Sequence, residues 1–281
     1  MADTGPVISV VIPTYGRHDL LHRAVSSAMS QTCEFEFEVV VVDDNSPDSQ
    51  IFKSNNSMLS TFGKRVRHLS NTGRRGGAEA RNAGIMASAG EWIAFLDDDD
   101  EWLPGKLQRQ VERISGCDQT VACIDTGFYE EGLTHGRRRI ILPQLQGDIF
   151  DALLVKHRGR APKLSTCICR REALLAIGMF DPEFPSRQDL DLYLRLARSY
   201  RFESVIEPLV IKYKHLGGRI SDNVEKKLGG FEVFYHKYHA DLRDSPKLHR
   251  LFLRQYANWM WRGKRYSSAT WLMLRSWTVR S

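Results

Sequence analysis

The apolar run Trp92-Ile93-Ala94-Phe95-Leu96 opens directly into four consecutive aspartates, Asp97 to Asp100, and then Glu101-Trp102-Leu103-Pro104. A pentad of this kind, bounded by Gly90 and Pro104, reads as a short buried strand. Its carboxylates then emerge at the C-terminal edge, where open α/β sheets bind ligands. Adjacent carboxylates repel one another unless a positive group lies between them. Oxygen-only ligands suit a hard divalent ion such as Mg²⁺ or Mn²⁺, which can also hold substrate phosphates. A solvated acidic loop is the plain alternative. A calcium loop fits poorly, because its template wants glycine at Trp102 and glutamate at Gln108.

The pattern before this run alternates strand and helix. Val7 to Ile12, Phe37 to Val42, Val66 to Leu69 and Glu91 to Leu96 read as strands. Asp19 to Ser30, Gly76 to Ala89 and Leu103 to Ile114 read as helices, with Asp19 expected to cap the first. The alternation predicts an α/β fold with a mostly parallel sheet flanked by helices. Later strands are expected at Val121 to Tyr129 and Ile140 to Leu142, and helices at Gln188 to Tyr200 and Glu225 to His239. Beyond about residue 222 the chain reads as a helical C-terminal extension with aromatic and basic faces.

Three strand ends therefore meet on one sheet edge: Pro13-Thr14-Tyr15, Asp43-Asp44-Asn45 and Asp97 to Asp100. Between them, Asn71 to Gly84 supplies glycines, three arginines and a helix N-terminus suited to phosphate. It is neither a Walker loop nor a G-x-G-x-x-G turn. Alone, it equally fits a glycine-capped surface helix.

At 281 residues, with 42% apolar and 26% charged content, the chain suits a soluble globular protein. No apolar run reaches membrane-spanning length, and the first residues do not resemble a signal peptide. The five cysteines lack zinc spacing and are expected to be reduced thiols of a cytoplasmic protein. The net charge is +6, unevenly spread. Residues 245–281 carry eight Lys/Arg, no Asp or Glu, and four of the six tryptophans. Such a segment points to an acidic partner, and its aromatics favour a membrane surface over nucleic acid. Plain packing of amphipathic helices is the alternative.

The ordered motifs Ser9-Val-Val-Ile-Pro-Thr-Tyr15, Val41-Val-Asp-Asp-Asn-Ser46, Ala80-Arg-Asn-Ala-Gly84 and Phe95-Leu-Asp-Asp-Asp-Asp-Glu-Trp-Leu-Pro104 resemble the signature of the family 2 glycosyltransferases. Gly178 to Phe184 and Gln188 to Arg195 resemble that family's acceptor-side segment. The resemblance implies a GT-A fold, a nucleotide-sugar donor, a divalent metal, and inversion at the anomeric carbon. It implies a catalytic domain over residues 1–221, with a donor half (7–115) and an acceptor half (116–221), followed by the extension at 222–281. Carried over residue by residue, Asp44, Pro13 and Tyr15 would hold the nucleobase, with a UDP-sugar favoured. Arg81 would lie near the phosphates, Asp97 and Asp98 near ribose or sugar, and Asp99 with Asp97 on Mn²⁺ or Mg²⁺. His215 falls where related enzymes place a histidine by the metal, and Asp189 where they place the general base. Asp191 is the competing base. The acceptor would be a glycan or lipid-linked oligosaccharide, used at the inner face of a membrane in polysaccharide assembly. Two departures stand out: Gln188 replaces a common glutamate, and Gly16 a frequent asparagine.

Two other functions use the same ingredients. A nucleotidyltransferase also sets carboxylates and Mg²⁺ at a parallel sheet, but carries a Gly-rich basic loop where this chain has Pro13-Thr14-Tyr15-Gly16-Arg17. A nucleotide- or glycan-binding module with a dead site is the other.

Overall fold

The computed structural model describes residues 7–71, 76–132, 138–154, 161–213 and 223–279. Its first half is β1 (Ile8–Thr14), α1 (His18–Met29), β2 (Phe37–Asp43), α2 (Gln50–Ser60), β3 (Val66–Ser70), α3 (Gly77–Ala87), β4 (Trp92–Phe95), β5 (Asp100–Trp102) and α4 (Lys106–Ser115). There follow β6 (Val121–Glu131), β7 (Arg138–Ile141), α5 (Phe150–Leu154), a 3-10 turn (Leu164–Thr166), β8 (Ile168–Arg170), α6 (Arg171–Ala176), α7 (Gln188–Ala197) and β9 (Arg201–Tyr213). Three helices close the chain: α8 (Val224–Asp244), α9 (Pro246–Arg262) and α10 (Tyr266–Thr278).

The strands form one sheet in the order β3-β2-β1-β4-β8-β6-β9-β5, with β7 alongside β6. The pairs β3/β2, β2/β1, β1/β4 and β6/β9 are parallel. The pairs β4/β8, β8/β6, β9/β5 and β6/β7 are antiparallel. The parallel character expected from the strand–helix rhythm thus belongs to the first four strands and to β6/β9. Strand order reverses at β1/β4, the kind of point where an open sheet leaves a crevice at its carboxyl ends.

The central strands are mostly apolar because both of their faces are covered. Val10, Val11 and Ile12 in β1 and Val39 to Val42 in β2 are fully buried. Helix α3 lies close on β1, and a methyl group at Gly84 would sit 2.4 Å from Val11 Cγ1. The Ala-Gly ending of the helix motif is thus a packing requirement.

Some expectations need correction. Asp19 does not cap α1; that position is Arg17, with no side-chain cap, and Asp19 lies in the first turn, where its charge suits the helix dipole. Helix α2 was not anticipated because it is polar, burying only Asn55 and Leu59. Strand β9 was hidden by Pro208. The ladder passes from Thr126↔Val205 to Gly127↔Pro208, so the proline sits at a bulge, where its missing N–H leaves no gap.

Candidate active site

A tight turn follows β4, closed by the Asp100 N–H donating to the Asp97 carbonyl at 3.1 Å. It brings carboxylate oxygens of Asp97, Asp99 and Asp100 within 4.8 Å of one another. Asp98 turns the other way and bridges the switch point: Thr14 Oγ1 at the end of β1 donates to it at 2.8 Å. Arg17 spans both groups, with Nη1 3.1 Å from Asp98 and 3.3 Å from Asp99.

Cations compensate this cluster. Arg81 on α3 donates to Asp97 at 2.7 Å and to the Gly77 carbonyl at 3.0 Å. Lys212 stands opposite Asp100 in the β5/β9 ladder and pairs with its Oδ2. Ser165, from the 3-10 turn, donates to that same oxygen and accepts the Asp97 backbone N–H. Asp100 Oδ1 is buried and has no hydrogen-bond partner among the described residues.

Burial pushes Asp98 up to about 6 against the pull of Arg17 and Thr14. Burial likewise raises Asp100 to about 6, opposed by Lys212. Asp97 is also lifted by burial, but Arg81 and Lys212 outweigh it and hold the carboxyl below its ordinary range. Burial disfavours the Lys212 charge, yet Asp100 and Asp97 outweigh it and raise the amine. The turn is thus an acidic cluster balanced by fixed cations, and its three oxygen donors, one with an orphaned buried atom, fit a hard divalent ion.

The end of β2 supplies two aspartates with different work. Asp43 is wholly buried and accepts from Asn45, Asn55 and His68. Burial opposes its charge, but these bonds outweigh it and lower its pKa. Asp44 instead ties the loop before α3: Asn71 Nδ2 donates to one oxygen at 2.5 Å and the Gly76 N–H to the other at 2.9 Å. Both oxygens of the expected base-binding carboxylate are therefore engaged by the chain, though each can accept a further bond. Tyr15, just past the end of β1, is 63% exposed, and Pro13 is half-buried within that strand. Gly16 has φ +69, a conformation that glycine and asparagine both tolerate, so its replacement of asparagine leaves this turn intact.

Asp189 lies half-buried in the first turn of α7, and its charge acts on Asp97, tending to raise that carboxyl. Asp191 is fully buried and bound by Arg195, Lys237 and Tyr238, so it faces the protein body. Gln188 Nε2 donates to the Phe184 carbonyl at 2.9 Å, a bond that the family's glutamate cannot make. Its Oε1 is 3.9 Å from where a methyl group on Gly77 would sit, so the N-termini of α7 and α3 meet. His215 lies outside the described residues. Lys212 and Ser165 escaped sequence reasoning, since only the β5/β9 ladder and the 3-10 turn bring them to the cluster.

A model of glycosyl transferase family 2 matches residues 9–174. The putative colanic acid biosynthesis glycosyl transferase WcaA of Escherichia coli K12 is 25% identical over 249 residues, covering 88% of this chain and 86% of the relative. An uncharacterized glycosyltransferase of Rickettsia felis is 29% identical over 276 residues; the match covers 94% of this chain but spans only 44% of that relative. Among solved structures, S. aureus TarS 1–349 in complex with UDP-GlcNAc has a TM-score of 0.62 at 19% identity, covering 91% of this chain and 72% of that one. The mannosyltransferase PcManGT from Pyrobaculum calidifontis, in complex with GDP-Man and Mn²⁺, has a TM-score of 0.61 at 19% identity, covering 98% and 76%. With the expected motifs in place, a shared GT-A fold and a family match over more than half of its length, the chain belongs to glycosyl transferase family 2.

Proposed function

We propose that the protein is an inverting, metal-dependent glycosyltransferase that moves a sugar from a nucleotide-sugar donor to a hydroxyl of a glycan or lipid-linked acceptor. The observation that carries this reading is the meeting of Asp97, Asp99 and Asp100 beside Asp189 at the carboxyl edge of β4. In it, residues 7–115 hold the donor, 116–221 hold the acceptor, and 222–281 form an extension. Relatives named for colanic acid, amylovoran and succinoglycan biosynthesis support a role in polysaccharide assembly; in this reading the protein works peripherally on the inner face of a membrane.

Tyr15 stacks on the base, Pro13 lines it, and Asp44 accepts its N–H while anchoring the loop beside the phosphates. A UDP-sugar is the favoured donor, supported by a uracil N–H as a match for that acceptor. Asp99, Asp97 and Asp100 would hold Mn²⁺ or Mg²⁺, which when bound would supply positive charge to the leaving diphosphate. Arg81 and Lys212 fix these carboxylates, and Asp98 faces the ribose or sugar. Asp189 takes the proton of the acceptor hydroxyl as the new bond forms, so the attack is a single in-line displacement. No enzyme nucleophile is needed, and the anomeric configuration inverts.

The test is a screen of nucleotide sugars with Mn²⁺ or a chelator, followed by NMR of the product's anomeric proton. Metal-dependent turnover with inversion, abolished in Asp189→Ala while nucleotide still binds, supports the reading. Retention of configuration, or full transfer by Asp189→Ala, sinks it.

A further inference from the structure

Helix α10 is turned inside out. It packs on the protein through Ala269, Leu272 and Ser276, which lie on one face, while its larger apolar residues point away. Trp271 is 55% exposed, Leu274 63% and Trp277 74%, and these three are spaced to share the outward side. Met273 extends this surface. An ordinary surface helix has the reverse arrangement, with its bulk facing the core.

Cations rim the exposed rings. The Arg275 guanidinium lies 4.9 Å from the Trp271 centroid, and that of Arg254, reaching from α9, 5.5 Å from Trp277. Trp261 and Tyr266 continue the surface at the α9–α10 junction, edge to face at 4.9 Å and both more than half exposed. No carboxylate falls between residues 245 and 281, against eight Lys/Arg. The missing occupant must therefore offer an apolar layer and negative charge together.

We propose that the outward face of α10 docks the protein on an anionic lipid bilayer, with Trp271, Leu274 and Trp277 entering the headgroup boundary and Arg254 and Arg275 meeting lipid phosphates. Tryptophan and arginine favour that interface because each joins an apolar body to a polar end. No helix among the described residues is long and apolar enough to cross a membrane, so the contact is a surface one. Nucleic acid would leave Leu274 and Met273 without a partner. A second copy meeting the same face would set Arg254 and Arg275 against their own copies, and the nearby exposed Glu225 is already paired with Arg265. The proposal rests on the membrane-side reading above for its biological sense, but not on the chemistry.

The test is flotation of the full chain with vesicles of neutral phosphatidylcholine, or of phosphatidylcholine with phosphatidylglycerol, and no acceptor. The expected result is co-flotation with the anionic vesicles, weakened by salt, with a blue shift of tryptophan emission. Trp271→Ser/Leu274→Ser/Trp277→Ser should lower partitioning at least roughly tenfold, equivalent to about 1.4 kcal/mol. Arg254→Gln/Arg275→Gln, which leaves the apolar face in place, should remove most of the salt sensitivity. Vesicle-free hydrolysis of the nucleotide sugar should stay at the wild-type rate in both variants, which separates failure of docking from failure of the catalytic reading. Equal flotation of wild type and triple variant, or no binding to anionic vesicles, overturns the proposal. So does a wild-type dimer, seen by sedimentation, that the triple variant turns into a monomer without any vesicle binding.

Discussion

The Arg187 guanidinium carbon lies 3.6 Å from the centroid of the Phe231 ring, joining the residue two before Asp189 to helix α8. Arg187 is the N-cap of α7 and has φ +68, an uncommon backbone for a side chain of its size. Burial lowers its pKa to about 10, against the pull of Asp189. The fit of α8 on this turn is close, since a methyl group at Gly230 would stand 2.1 Å from Ser186 Oγ and 2.8 Å from the Ser186 carbonyl oxygen.

Gly230→Ala should therefore displace the turn that carries Asp189 while leaving the strand ends of β1 and β2 and the acidic turn after β4 in place. We expect kcat to fall by roughly tenfold to a hundredfold, and the donor KM to stay within about twofold. Steady-state kinetics with varied donor check this. A rise in donor KM with kcat preserved would contradict it.

Lys212→Met removes the ladder partner of Asp100 and leaves a buried carboxylate uncompensated. The loss should be about 3 kcal/mol, at the low end for a broken buried pair because Lys212 keeps some contact with solvent. A divalent ion should restore part of the missing charge. Mn²⁺ should consequently raise the melting temperature of the variant more than that of the wild type, measured against chelator. An equal shift in both would show that Lys212 and the ion do not share a role.

Asp125 is buried in β6, where Ser204 Oγ donates to it at 2.5 Å and burial pushes its carboxyl up to about 7. A raised acid favours the folded state fully below the unfolded value and loses that contribution as pH rises through the folded value. Stability from this group should thus fall between about pH 4 and pH 7. Asp125→Asn keeps an acceptor for Ser204 and has no charge to bury. Denaturant unfolding should show the variant gaining on wild type as pH rises across that window, by on the order of a few kcal/mol. Parallel pH profiles would contradict this.

Gly84→Ala should destabilise by about 1–3 kcal/mol, because the added methyl meets Val11 on a fully buried strand. Val11→Ala/Gly84→Ala should be less unstable than the two single changes predict by addition. Chemical denaturation of the four proteins measures the coupling, and strict additivity would refute the contact.

What could be read from the sequence followed from locality. Strands β1, β2 and β4 carry the apolar runs Val10–Ile12, Val39–Val42 and Trp92–Phe95, and the polar tips that follow them are neighbours because parallel strands end on one edge. Asp97 and Asp99 therefore lie together after β4; Asp189, on α7, follows instead from the resemblance to the family's acceptor-side segment, and its charge acts on Asp97. Lys212 could not be found this way. It lies 112 residues from Asp100, on a strand interrupted by Pro208, and only the ladder register joins them. Arg187 was equally hidden, since its aromatic platform comes from α8, beyond the matched motifs. The helices of the extension were foreseen, but which face of α10 packs and which is open depends on three-dimensional contacts alone.

Strand β9 gives the acidic turn a tether that lies outside the part of the chain matched by the family model. An expression fragment cut at residue 174 would keep every signature motif up to the turn and still lack the amine that balances Asp100. A unit that keeps the Asp100–Lys212 pair must include β9, so the motif boundaries and the physical boundaries of the acidic turn differ.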